Sequence, residues 1–100
     1  RVNIELLEKS MITLEKELQN IELYLAFEQL RFDGKLEYEI RVSPDIAAAQ
    51  ITVPSLVLQP FVENAIWHGI LPHEKGGKVT VLVHREHNVL LLEIDDDGIG

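Results

Sequence analysis

Apolar residues recur through the first third of the chain at alternating spacings of three and four: Ile4, Leu7, Met11, Leu14, Leu18, Ile21 and Leu25. That repeat is the seam of a coiled coil, and no proline or glycine interrupts it, so residues 3 to 32 are predicted to form one long helix. About 30 residues at 1.5 Å each would extend roughly 45 Å, longer than a compact domain of this size needs. An amphipathic helix lying on its own domain is the alternative for the same pattern. Beyond Leu25 the apolar positions turn to Phe27, Leu30 and Phe32. Asp33-Gly34 then supplies a stop, because Gly34 is free to take the left-handed cap conformation.

The period next drops to two. In KLEYEIRV, Leu36, Tyr38, Ile40 and Val42 alternate with Glu37, Glu39 and Arg41, which predicts a half-buried strand with one wet face. Ser43-Pro44-Asp45 breaks it, and Ile46 to Gln50 fits a short helical turn. Val53-Pro54 introduces a helix over LQPFVENAIWHG, residues 58–69. Pro72 and Gly76-Gly77 mark a loop, after which KVTVLVHR and NVLLLEID read as two strands joined by a tight turn at Glu86 to Asn88. The predicted order is long helix, strand, helix, strand, strand, an α+β arrangement.

The helix over 58–69 has two chemically distinct sides. At about 100° per residue, Leu58, Phe61, Val62, Ala65 and Ile66 form a core face, whereas Pro60, Asn64, Trp67 and His68 group roughly opposite, with Glu63 on the flank. Pro60 cannot donate to Leu56, so a local kink or irregular turn is expected there. Asn64 offers a side-chain carbonyl suited to a hard cation such as Mg²⁺, and His68 lies one turn further on, able to stack on or hydrogen-bond a ligand. Taken alone, both also fit as ordinary surface polar groups. A second cluster strengthens the ligand reading: DDDGIG places Asp96, Gly98 and Gly100 directly after an apolar strand. There, glycines let the backbone approach a ligand and a carboxylate can accept from an amine. Its spacing does not fit a calcium loop of the EF-hand kind.

Composition narrows the classes. The 100 residues, 46% of them hydrophobic, suffice for one small domain with a core, or for such a domain plus one long helix. A net charge of -8 disfavours a sequence-independent grip on nucleic-acid phosphates. Without cysteine there are no disulfides, thiolate nucleophiles or thiolate metal sites. No apolar run approaches the roughly 20 residues that span a bilayer. The chain starts on Arg1 and stops directly after a glycine-rich turn, which reads as a piece of a longer protein.

VENAIWHG followed by DDDGIG resembles the N box and G1 box of the ATP-binding fold shared by sensor histidine kinases, gyrase-type topoisomerases and MutL. Within that superfamily PSLVLQPFVENAIWHGI is similar to the LytS/YesM-type sensor histidine kinases, and LEKELQNIELYLAFEQLRFDGKLEYEI resembles their second dimerisation helix running into the first ATPase strand. The resemblance covers essentially the whole chain. It implies a dimerisation helix over 1–33 and, over 34–100, the N-terminal part of a Bergerat-type α/β sandwich, a mixed sheet with helices on one face, truncated at the G1 box. By the same resemblance Asn64 would ligate the Mg²⁺ that bridges the ATP phosphates, and Asp96 would accept from the adenine amino group. Gly98 and Gly100 would open the pocket and its lid, His68 would lie near the adenosine, and Glu63, beside the metal ligand, would support it or polarise water. It further implies ATP and Mg²⁺ as cofactors, a homodimer through the N-terminal helix, a response regulator as partner, and a cytoplasmic segment of a membrane-anchored bacterial receptor.

Two departures stand out. Trp67 replaces a Lys or Arg that in such kinases reaches toward phosphate, and Pro60 replaces an additional Asn, although proline is ordinary in this subgroup. The phosphoacceptor segment, similar to P-H-F-L-F-N, is expected before Arg1, since none of His68, His73, His84 and His87 stands in such a context. The second glycine box and lid are expected after Gly100. The fragment alone is therefore expected to bind ATP weakly and not to phosphorylate itself. A non-catalytic scaffold with a decayed nucleotide site is the alternative. A gyrase- or MutL-like ATPase fits less well, because those enzymes carry a catalytic Glu where this chain has Pro60.

Overall fold

The structure, a computed structural model, describes residues 11–72 and 74–97. Ile4 and Leu7 of the seam, His73, Gly98 and Gly100 lie outside them. Strand β1 (Met11–Thr13) leads into helix α1 (Leu14–Arg31), followed by β2 (Leu36–Val42), a 3-10 turn (Ala48–Gln50), β3 (Thr52–Pro54), α2 (Gln59–Asn64), a π-helix (Ala65–Ile70), β4 (Gly77–Glu86) and β5 (Val89–Asp96).

The predicted continuous helix over 3–32 is corrected at Met11–Thr13. These residues are extended and pair antiparallel with β3, Met11 opposite Pro54 and Thr13 opposite Thr52. Thr13 is the N-cap of α1, its hydroxyl oxygen accepting from the Lys16 N–H at 3.1 Å, and the Leu14 N–H donates to the Ile51 carbonyl at 2.7 Å. A β-branched residue with a capping hydroxyl thus starts α1 at Leu14, where the apolar period suggests that a helix simply runs through. At the other end Asp33 and Gly34 take positive φ, 52° and 83°, which stops α1 where the sequence places the stop.

The seam residues of α1 face their own domain. Leu14, Leu18, Ile21 and Leu25 are buried in one cluster with Leu36, Val62, Ile66, Ile70, Val79, Val81 and Val83. Residues on both sides of position 33 contribute to this cluster. On the opposite side of α1, Leu23, Phe27 and Leu30 are 72%, 63% and 84% exposed.

The sheet has the order β2-β4-β5, with β2 parallel to β4 and β4 antiparallel to β5. It is a mixed sheet, as expected from the resemblance. Val79, Val81 and Val83 point to the helices, while Glu39, Arg41 and Lys78 share the wet face. There the Arg41 guanidinium and then the Lys78 ammonium lower the Glu39 carboxyl to about 2. Gly76 closes the return to β4 with φ +70°, and a Cβ there would stand 1.9 Å from the Lys35 carbonyl oxygen.

No kink interrupts the helix at Pro60; the irregular turn lies just before it, where Leu56 takes a φ of +64°. Pro60 occupies the first turn of α2, where its missing N–H has no helical partner to lose. A second irregularity comes later, as the π-helix over Ala65–Ile70, with the Leu71 N–H donating to Ile66 at 2.9 Å. Leu58, Val62, Ala65 and Ile66 are buried as predicted, but Phe61 is 65% exposed and does not hold the helix to the sheet.

Because Ile21 is fully buried in the chain's own core, Ile21→Ala is expected to lower unfolding stability by about 2–5 kcal/mol at every protein concentration. Leu23→Ala, at an exposed position, should change the stability of the monomer by less than about 0.5 kcal/mol. Urea denaturation of both variants checks this; a large loss for Leu23→Ala and a small one for Ile21→Ala would mean that α1 turns its other side to the core.

Candidate functional site

Two elements distant in sequence frame the site. Asp96 ends β5 opposite Val79, so its side chain lies on the helix side of the sheet with Leu92 and Ile94. The pairing continues past it: the Asp97 N–H donates to the Lys78 carbonyl at 3.1 Å, and the Asp97 carboxylate accepts from the Lys78 N–H. These bonds fix the end of β5 independently of the helices.

Across from it, α2 presents Asn64. Asn64 and Asp96 line one cavity of about 440 Å³ whose other walls include Leu58, Phe61, Ala65, Leu92 and Ile94. A mostly apolar cleft of that size with two polar groups at its edge suits a flat organic ring whose amine meets a carboxylate. The exposed ring of Phe61 belongs to this wall, which is its use in place of packing.

Gly69 makes room for the acid. A Cβ at this position would stand 2.6 Å from Asp96 Cγ and Oδ1 and 2.7 Å from Oδ2. No side chain other than hydrogen fits there while Asp96 keeps its place, so the π-helix and the strand end are matched to each other. The sequence does not single out Gly69 as a site residue, although at about 100° per residue it falls on the core face with Leu58, Val62 and Ala65, where a missing side chain is a signal.

Asn64 also borders a second hollow of about 300 Å³, lined with Pro60, Glu63, Trp67 and His68. Its lining is polar where the first is apolar, and Asn64 stands between them. Glu63 is held from one turn before, its carboxylate accepting from Gln59 Nε2 at 3.0 Å. His68 therefore shares a hollow with Asn64 but not the cavity of Asp96.

Trp67 is tied to α1. Its ring meets Phe32 edge to face at 5.7 Å and 88°, and the Arg31 guanidinium lies 5.2 Å from the Phe32 ring centre and 5.8 Å from that of Trp67. Arg31 in turn reaches the buried Glu28 at 3.3 Å, which also accepts from the Tyr24 hydroxyl at 3.3 Å. Burial pushes the Tyr24 hydroxyl up; a hydrogen bond with Trp67 works the other way, and the charges of Glu28 and Glu63 push up again. Trp67 is thus part of an aromatic and charged cluster that joins the helix to α1.

At its other end, α2 is held by Glu17. The Leu56 N–H donates to Glu17 Oε1 and the Leu58 N–H to Oε2, each at 3.0 Å. Leu56 has a φ of +64°. Glu17 was not singled out from the sequence; its only mark there is an acidic side chain three residues after Leu14, beside the apolar stripe.

No group of three or more acidic or histidine side chains among the described residues could hold a metal ion by itself. Asn64 contributes a single amide oxygen. That donor set fits Mg²⁺ only as a complex that brings its own oxygens, as a polyphosphate does. Gly98 and Gly100 lie outside the described residues.

No family model matches the chain. Over its full length the chain is 40% identical to the sensor histidine kinase YpdA of Escherichia coli strain K12 and 37% identical to the sensor protein LytS of Bacillus subtilis strain 168. Over 87 residues, 87% of the chain, it is 36% identical to the sensor histidine kinase BtsS of Escherichia coli strain K12. The chain spans 17%, 16% and 15% of these proteins respectively. No helix among the described residues is long and apolar enough to cross a membrane.

Proposed function

We infer the use of this site from the premise that the chain belongs to the LytS-type sensor histidine kinases. The intact protein binds Mg-ATP, phosphorylates a histidine on a segment outside this chain, and passes the phosphoryl group to a response regulator. The observation that carries this reading is the convergence of Asn64, from a helix, and Asp96, from a strand end, on one largely apolar cavity. Adenine fills that cavity with its exocyclic amine donating to the Asp96 carboxylate. The phosphates would run past Asn64 into the polar hollow, where the Asn64 amide oxygen would hold Mg²⁺ together with phosphate oxygens. His68, which lines the polar hollow and not the Asp96 cavity, would face the phosphates rather than the adenine, and Glu63, on the same hollow, would polarise water there. Gly98 and Gly100 begin the lid. The chain by itself is inactive, since positioning and charge neutralisation of the phosphates need groups that follow it. The intact receptor is anchored in a membrane through segments outside this chain, with this part in the cytoplasm.

A second reading has its own observation. Trp67 packs against Phe32 and Arg31, so the position that carries a phosphate-directed cation in such kinases serves here to join the helix to α1. On that reading the domain is a scaffold whose nucleotide site has decayed.

Calorimetric titration of Mg-ATP into the domain carried on through its second glycine box and lid separates the two. Wild type should bind, with affinity falling at least about tenfold, roughly 1.4 kcal/mol, in Asn64→Asp, which sets a negative charge beside the phosphates, in Asp96→Asn, and in Gly69→Ala, which displaces Asp96. Absence of binding by the folded wild type would sink the kinase reading and leave the scaffold.

Homodimerisation through the N-terminal helix belongs to the same proposal, with its face moved. Leu14, Leu18, Ile21 and Leu25 are occupied by the chain's own core, whereas Leu23, Phe27 and Leu30 are open. Sedimentation velocity should find a dimer for wild type and a monomer for Phe27→Glu; a wild type that stays monomeric at high concentration contradicts this pairing.

A further inference from the structure

We propose that Glu17 is a positioning residue for the nucleotide site: its carboxylate fixes where α2 starts and thereby how far Asn64 stands from Asp96. Glu17 is fully buried, and among the described residues it forms no ion pair with a cation. Both of its oxygens are used instead by the backbone N–H groups of Leu56 and Leu58, some 40 residues away in sequence. A buried carboxylate is costly, and an apolar side chain of similar volume would fill the same space at lower cost. What the carboxylate adds is direction, because two charge-assisted bonds from one rigid group fix the residues before α2 in place and orientation.

The geometry gives that fixation reach. Leu56 holds a left-handed conformation unfavourable for a non-glycine residue, so its surroundings must hold it there. From Leu58 to Asn64 the chain is continuously helical, and about six residues at 1.5 Å carry a shift at Leu58 directly to Asn64. Asp96 is fixed separately, by the pairing of β5 with β4 and by the bonds between Asp97 and Lys78. The gap between Asn64 and Asp96 is therefore set from two sides, and Glu17 sets the helix side.

This inference rests on Asn64 and Asp96 being the nucleotide contacts, and the readouts separate the two claims. Glu17→Gln keeps the shape but turns an NH₂ toward one of the two backbone donors. In the domain extended through the lid, amide hydrogen exchange at Leu56 and Leu58 should rise at least tenfold while that at Val81 and Val83 stays as in wild type. The Asn64 side-chain amide resonance should move, and Mg-ATP binding, corrected for the folded fraction, should weaken at least tenfold. If the variant only melts earlier, with the Asn64 resonance and the corrected affinity unchanged, the positioning role is overturned. If exchange and resonance change but even wild type binds no Mg-ATP, positioning of Asn64 is supported and only the nucleotide assignment falls. Should the Gln variant not fold, Glu17→Asp keeps the charge but cannot reach both donors at 3.0 Å. It must give the same pattern in weaker form, and wild-type behaviour in all three readouts overturns the proposal.

Discussion

Everything in this fold depends on one shared burial: the apolar stripe of α1 and the inner side of α2 and its π-helix meet over the same three valines of β4. Leu14, Leu18, Ile21 and Leu25 supply one half of that contact, Val62, Ile66 and Ile70 the other. Once those positions are buried, the remaining sides have no freedom. Asn64 and His68 must face away from the core, and the helix that carries them can move only if α1 moves too. The hydrophobic contact is non-directional, so it secures proximity without fixing register. Register comes from the directional bonds at its margins: the Thr13 cap, the two N–H groups on Glu17, and the Asp97 bonds at the end of β5.

The elements legible in the sequence were those whose signal is local. The alternation from Leu36 to Val42 and the turn at Glu86 to Asn88 needed only neighbouring residues, and the strands stand where the pattern places them. The seam from Ile4 to Leu25 revealed that a helix has an apolar side but not what covers it, since a coiled-coil partner and the chain's own sheet demand the same spacing. Met11–Thr13 escaped because its strand exists only by pairing with Thr52–Pro54, a nonlocal partner that no three-residue pattern encodes. Pro60 marks a start rather than a break: it stands in the first turn, the irregular turn lies before it at Leu56, and the Leu56 and Leu58 N–H groups are bonded to Glu17 of another element.

The site was legible in its polar chemistry and less so in its supports. Asn64 and Asp96 announced themselves as polar groups in apolar settings, and the fold brings them to one cavity. Phe61 read as core because its helical angle matched Leu58 and Val62, yet the cavity opens beside it and the ring lines the wall. Gly69 contributes through an atom it lacks, visible only when the Asp96 carboxylate is in place. Trp67 shows the same dependence. As a replaced cation it looked like a loss from the phosphate site, whereas its contacts with Phe32 and Arg31 make it the second link between the helix and α1.

The kinase reading requires a metal-nucleotide complex between Asn64 and Asp96. Its most direct test is paramagnetic broadening by Mn²⁺-ATP in NMR spectra of the labelled domain extended through the lid, since Mn²⁺ substitutes for Mg²⁺ and reports distance. The account predicts that the Asn64 side-chain amide broadens first and most, that neighbouring Trp67 and His68 follow, and that His84 and Glu93 stay sharp. Broadening centred on the Glu39, His84 and Glu93 face of the sheet, or none at all at saturating nucleotide, would contradict it.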